Sequence, residues 1–426
     1  MTVTTDFQYE KFFGLDADQL KCPHTAFEEV RSECPVSRSD ALGFWVVADH
    51  ENAQKVFKDA KVFSTKKMLG EQVSDEWQRL VDLAAQRPGA KEEFGEDYGT
   101  SDRKVLLFAD PPEHGRHRKL IMGALTPNAL KSWAPRIEET ADIFVGGITA
   151  GEEVEFVDGF ANKYTMTVIA DILGFPRDMV PQMLDWTEGF NSMVGNPDQT
   201  DEQIEALVDT RYGFDSYCNR QIDDRIAEPK EDLISRIVKL NADSESPLGR
   251  DDLFQVLQLS MVGGSETSAT ALSKMIEFLG KNPEMWAELK ADTDRIPAFM
   301  EEMLRMYSPV QGSFRGVTED VELGGQQLKA GDMLWVGMGA SNRDPKVFDD
   351  PDRMDIDRER LAATHVAFGG GPHVCPGTSL TRMELRMMLE KLITGFSGVE
   401  LVDPDPASKQ SFNFYGPAAL PVRFIA

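Results

Sequence analysis

The sequence predicts a mainly α fold with small peripheral β-sheets, and three observations carry that expectation. Residues 253–279 place apolar side chains on several faces of a helix, the pattern of an element buried nearly all round. Strand-like runs are few, short and clustered. The chain has 426 residues of which 41% are hydrophobic, enough to close a large core.

Taken in order, residues 43–47 (GFWVV) read as an early strand. Residues 64–102 and 191–203 mix Gly, Pro and charge without a clear period and read as irregular coverings. At about 1.5 Å per residue the helix over 253–279 approaches 40 Å, a central beam that Gly280 and Pro283 should stop. Residues 321–334 turn back on themselves at Gly324-Gly325, residues 380–393 read as an apolar helix, and 420–425 as a last strand. No repeat and no linker divides the chain.

Charge and cysteine usage exclude several functions. Lys and Arg number 45 against 72 Asp and Glu, a net charge of −27 that repels nucleic acid and anionic bilayers. Cys22, Cys34, Cys218 and Cys375 form no C-x-x-C pair, so neither a disulfide framework nor a zinc ribbon is indicated. The N-terminal residues carry acids and no apolar h-region, and no run reaches the roughly 18 apolar residues of a spanning helix. A cytoplasmic protein is expected.

The informative segment is FGGGPHVCPG at 368–377. Its glycines let backbone approach a flat ligand closely, and the loop runs into a helix whose N-terminal amides and dipole favour thiolate at Cys375. A single soft anion without zinc-spaced partners suits an iron already held by a macrocycle. The segment resembles the signature F-G-x-G-x-H-x-C-x-G of the cytochrome P-450 haem-thiolate monooxygenases, met by Phe368, Gly369, Gly371, His373, Cys375 and Gly377. At this chain's residue frequencies a chance match is expected on the order of once per million such sequences.

The resemblance extends from about residue 110 to the C-terminus and implies one P-450 domain over 1–426. Its first ~100 residues would hold the β-rich part and substrate coverings, and 105–426 the helical haem-binding core. It implies haem b with Cys375 as axial ligand. Glu302 and Arg305 match E-x-x-R, with Arg353 of a P-x-R segment expected to join them as a buried structural cluster. His114 and Arg118 (in DPPEHGRHR), Arg315 and His373 are the expected propionate partners, with Phe368, Gly369 and Gly377 shaping the loop around the haem. GGSETS at 263–268 matches the oxygen-activating element, so the helix should open there and Glu266 and Thr267 should handle protons.

By position in the family the substrate pocket draws on Leu107, Leu259, Val262, Gly263, Val310, Gln311, Ser313, Phe414 and Tyr415, with Asn413 beside them. The implied reaction inserts one oxygen atom of O2 into an apolar organic substrate. The chain carries no flavin or nicotinamide motif, so electrons are expected from a ferredoxin and an NAD(P)H-dependent reductase. Arg116, Lys119, Lys131, Arg343, Lys346 and Arg382 are the expected docking patch, and a monomer is expected. The alternatives are a peroxide-driven peroxygenase or isomerase of the same fold, or a haem-based ligand binder or sensor. Retention of the acid–alcohol pair at 266–267 argues against both.

Overall fold

The computed structural model describes residues 8–68, 70–99, 105–192 and 200–426, with side chains omitted at 70–77 and 192. It is mainly helical with small sheets, and the chain divides into two compact units. The first comprises Met1–Met68, Ile137–Tyr164 and Thr267–Ala426; the second comprises Leu69–Arg136 and Thr165–Glu266.

The first unit holds all three sheets. The largest runs, in spatial order, Val36–Ser39, Phe44–Val47, Met333–Gly337, Gly312–Val317, Phe63–Ser64, antiparallel except where Phe44–Val47 meets Met333–Gly337. Val47, Leu334 and Val336 from its centre pack with Val56, Phe57, Leu323, Leu328 and Val366. This apolar body seats the chain that enters the 368–377 loop. The expected hairpin forms between Val321–Leu323 and Gln326–Leu328, its two turn glycines at positive φ of 57° and 77°, which suits a tight two-residue connection. Pro421–Ile425 lies between Glu153–Glu155 and Gly398–Leu401.

The second unit is helical apart from its connections. The stretch read as irregular at 64–102 contains the helices Gly70–Ala85 and Ala90–Phe94. Apolar side chains there were masked in the sequence by interspersed charge and by Pro88-Gly89, which separates the two helices. Most of the second irregular stretch, 193–199, lies outside the described residues.

The long helix spans Arg250–Lys281 and is unbroken through 263–268, so the expected opening is not a break in the helix. Ser265 donates its hydroxyl back to the Met261 carbonyl at 3.0 Å, a bond that leaves the helical ladder in place. The two glycines instead act through missing side chains. A Cβ on Gly264 would lie 2.5 Å from Ile169 Cδ1, whereas one on Gly263 would meet nothing within 4 Å. Lys281 ends the helix and Pro283 opens the next, Pro283–Ala291.

The E-x-x-R pair is fully buried. Arg305 donates Nε and Nη2 to the two Glu302 oxygens at 2.7 Å each, and Nη1 to the carbonyls of Asn342 and Pro351 at 2.8 Å. The third member is Arg358 and not Arg353. Arg358 Nε reaches Glu302 Oε1 at 3.0 Å, and its other nitrogens serve the carbonyls of Asp349, Asp350 and Arg353. Arg353 is held at the surface by Asp350 and Asp355, carboxylates within its own turn. Asn342, whose carbonyl caps Arg305, also accepts the Val366 amide at 2.8 Å and so ties the cluster to the cysteine loop.

Removing Arg358 leaves Glu302 paired with Arg305 but deletes its bond to Glu302 Oε1 and strips three carbonyls of a donor. Arg358→Ala is expected to lower unfolding stability by about 2 kcal/mol, and Arg353→Ala by no more than about 0.5 kcal/mol, as for an ordinary surface residue. Urea unfolding of the two variants beside the parent checks the contrast; equal losses would contradict it.

Candidate functional site

The cysteine loop is shaped by a few backbone bonds. Cys375 N–H donates to the Phe368 carbonyl at 2.9 Å, Gly369 N–H to Val366 at 2.8 Å, and Val374 N–H to Gly371 at 3.2 Å. Gly369 and Gly371 have φ of 71° and 61°, which a side chain disfavours. A Cβ on Gly371 would also fall 1.9 Å from the Phe57 carbonyl oxygen, so this glycine is required twice over. Gly377 then caps the helix Thr378–Gly395, and Thr378 bonds the Cys375 carbonyl at 2.7 Å. Cys375 is half-buried, and a Cβ on Gly377 would stand 3.7 Å from its sulfur.

Phe57 links this loop to the expected cations of the first unit. Its backbone receives Gly371, and the buried Arg315 guanidinium lies 5.7 Å above its ring. Arg315 donates to Ser313 Oγ and to the Phe314 carbonyl, each at 2.6 Å. Thr65, next to the strand pairing Ser64 with Gly316, meets His373 Nε2 at 3.4 Å. Arg315 thus packs on Phe57 and His373 meets Thr65, two neighbours of the loop that carry no sequence signature.

In the second unit His114 and Arg118 lie on the helix Glu113–Ala124. Burial, then the charges of Arg118 and His117, hold the His114 imidazole below its ordinary value. Leu107, on the short helix Leu106–Phe108, is 41% exposed. Along the long helix Leu259, Val262, Gly263, Glu266 and Thr267 are half-buried or exposed while Leu257, Met261, Ser265 and Ser268 are buried. These positions recur at helical spacing, so they form one open stripe on an otherwise buried element. Asn191, on the helix Val180–Ser192, donates its amide to Glu266 Oε2.

Several expected pocket donors are occupied elsewhere. Val310 bridges Phe414, with Gln311 N–H on the Asn413 carbonyl and Tyr415 N–H on Pro309, so these segments do meet. Gln311, however, is buried with its amide on the Ser308 carbonyl at 2.6 Å. Tyr415 gives its hydroxyl to the Lys21 carbonyl at 2.8 Å beneath the Lys274 ammonium. Ser313 serves Arg315. Gln311 and Tyr415 thus spend these donors on the scaffold, whereas Ser313 is an acceptor there and keeps its own hydroxyl proton.

The docking set is corrected at one position, Arg343. Arg343 is 2% exposed and donates to Asp352 and the Met306 carbonyl. Arg382 is fixed on Glu301. Arg116, Lys119, Lys131 and Lys346 are exposed.

Comparison with known proteins places this geometry. Residues 80–417 match the family model for cytochrome P-450. Cytochrome P-450 107B1 of Saccharopolyspora erythraea is 32% identical over 409 residues, covering 94% of each chain. Linalool 8-monooxygenase of Pseudomonas putida is 30% identical over 396 residues, 92% of this chain and 93% of that one. The crystal structure of CYP109E1 from Bacillus megaterium in complex with corticosterone superposes with a TM-score of 0.79 at 29% identity, covering 95% of this chain and 99% of that one. The fold and the cysteine loop define a haem-thiolate monooxygenase, an enzyme that incorporates oxygen from O2. The chain belongs to the cytochrome P-450 family, whose members bind haem b through a cysteine thiolate.

The residues of the first unit fit that cofactor. A half-buried cysteine side chain offers a soft donor, and a buried guanidinium and a histidine suit carboxylate groups. Among the described residues no helix is long and apolar enough to cross a membrane.

One buried acid escaped the sequence reading. Glu384, nine positions after Cys375, is 1% exposed. It accepts the Ser268 hydroxyl on Oε1, and Oε2 has no hydrogen-bond partner among the described residues. Burial drives its carboxyl up to about 8, with the Ser268 bond opposing. A carboxyl raised in the folded state contributes its full stability below its ordinary value of 4.5 and loses it as pH climbs through about 8. Glu384→Gln should therefore gain thermal stability relative to the parent between pH 5 and pH 8. Melting curves at the two pH values check this; a difference independent of pH would contradict it.

Proposed function

We propose that Cys375 is the thiolate ligand of the haem and that the enzyme hydroxylates an apolar organic substrate in the cytoplasm with electrons from a ferredoxin. The observation that carries the reading is the presentation of Cys375 by a glycine-constrained loop whose neighbour Phe57 packs under the Arg315 guanidinium. When bound, haem b would supply the iron that activates O2, and the Cys375 thiolate would supply the electron density that favours O–O cleavage. For His114 and Arg118 the DPPEHGRHR match supports the propionate role.

The chain's own residues supply placement and protons. The open stripe on the long helix offers Leu259, Val262 and the bare backbone of Gly263 to an apolar guest. The relatives named for linalool and crystallised with corticosterone support a terpenoid- or steroid-like guest. Thr267 Oγ1 holds a proton at the end of that stripe. The Glu266 carboxylate exchanges with solvent when Asn191 releases it, which couples proton entry to the helix Val180–Ser192. A peroxide-driven reaction would need neither group.

Electrons must come from outside this chain, and Arg116 and Lys119, one turn apart on an exposed helix face, offer cations to an acidic ferredoxin against the overall negative charge. Screening a compound library for changes in the ferric haem spectrum, with mass analysis of products from the hits, tests substrate and chemistry together. Thr267→Ala is expected to divert most reducing equivalents to hydrogen peroxide, read as the ratio of product to NAD(P)H consumed; an unchanged ratio would overturn the proton role. Arg116→Glu should weaken ferredoxin-driven turnover roughly tenfold at low salt and flatten its salt dependence. Unaltered salt dependence would count against this docking face.

A further inference from the structure

Glu301 precedes the buried Glu302 but takes no part in its cluster. Its side chain is 13% exposed and its two oxygens face two different elements. Arg382 donates Nε to Oε1 at 2.5 Å and Nη2 to Oε2 at 2.8 Å, a fork on a carboxylate. His365 Nε2 also meets Oε2 at 2.8 Å. His365 Nδ1 accepts the Ala367 N–H at 3.2 Å, which leaves Nε2 as the nitrogen that donates to Glu301. Burial would push the Glu301 carboxyl up, but the hydrogen bonds from Arg382 and His365 bring it down to about 2, so it is ionised at working pH.

The two partners flank the cysteine loop. His365 lies three residues before Phe368, and Arg382 lies seven after Cys375 in the helix that leaves the loop. Both also touch the loop's aromatic. The Arg382 guanidinium lies 4.9 Å over the Phe368 ring, and the His365 ring is 6.0 Å from it. Phe368 in turn accepts the Cys375 amide. One carboxylate thus joins the entry and exit of the loop and fixes the residue that receives the Cys375 N–H.

We propose that Glu301 is a positioning residue for the cysteine ligand, closing a His365–Glu301–Arg382 clasp that holds Phe368 and the Cys375 backbone in place. The inference rests on the reading that Cys375 binds the iron. Groups around a ligating sulfur tune its donor strength and the metal's potential, so a loosened clasp is read at the iron.

The experiment compares the haem-loaded parent with Glu301→Gln, Arg382→Lys and Cys375→Ser, measuring midpoint potential, the carbon monoxide spectrum of the reduced protein and melting temperature. Glu301→Gln removes charge and clasp together. Arg382→Lys keeps every charge but loses the fork, and it keeps the test open where Glu301→Gln fails to fold. Both are expected to raise the potential, Glu301→Gln by at least the equivalent of a tenfold change in the reduction equilibrium, about 59 mV for one electron. Both should also move part of the carbon monoxide adduct from the thiolate type to the neutral-thiol type. A shift in Glu301→Gln alone would show a charge effect and overturn the clasp, and so would a lowered melting temperature with potential and spectrum unchanged in both. Retention of the parent spectrum by Cys375→Ser would overturn the ligand reading itself, and the clasp with it. Loss of that spectrum in Cys375→Ser, with the other two variants like the parent, would overturn the clasp alone.

Discussion

Much of the first unit answers one constraint: a single sulfur must be kept available as an anion at a half-buried position while its surroundings stay rigid. Thiolate is favoured by amide donors and a helix N-terminus, and both demand a fixed backbone. The chain meets the demand with glycines that no side chain could replace, above all Gly371 against the Phe57 carbonyl. The loop is then an inflexible edge of the sheet-bearing core through Phe57 and Val366.

Rigidity on that scale is built from buried polar groups that find partners, as around Glu302. Glu302 is shared by Arg305 and Arg358, and the two guanidiniums spend their remaining donors on backbone carbonyls of the segment that leads to the loop. Asn342 carries the connection onward to Val366. Such clusters add little net stability relative to an apolar core, yet they specify one arrangement because every alternative leaves a charge uncompensated. Glu301 repeats the device with the opposite ends of the same loop. Two neighbouring glutamates on one helix therefore serve two different segments, which adjacent positions on a helix make natural because their side chains diverge by about 100°.

How much of this was legible follows from what kind of signal each residue leaves. Glu302 and Arg305 stand in a spaced motif and pair as expected, and the long helix and the Gly324-Gly325 hairpin were also legible. Arg353 and Arg358 both follow Pro351 within a few residues, and only the competition from Asp350 and Asp355 for Arg353 decides between them, a matter of turn geometry. Arg343 looked like a surface cation because charge gives no sign of depth, and Arg382, at 30% exposure, is tied to a Glu301 that is distant in sequence. Gln311 and Tyr415 were misread for the same reason, since their polar atoms serve carbonyls that no pattern announces. Phe57, Thr65 and Glu384 left no local signal at all, and tertiary packing alone gives them meaning. The helices within 70–94 were hidden by charge interleaved with their apolar positions.

X-ray absorption at the iron edge of the purified haem protein tests the central claim most directly. The account predicts one sulfur scatterer at bonding distance from iron in the parent, lost when Cys375 is replaced by histidine. An iron ligated only by nitrogen and oxygen in the parent, or a sulfur shell that survives the replacement, would contradict it.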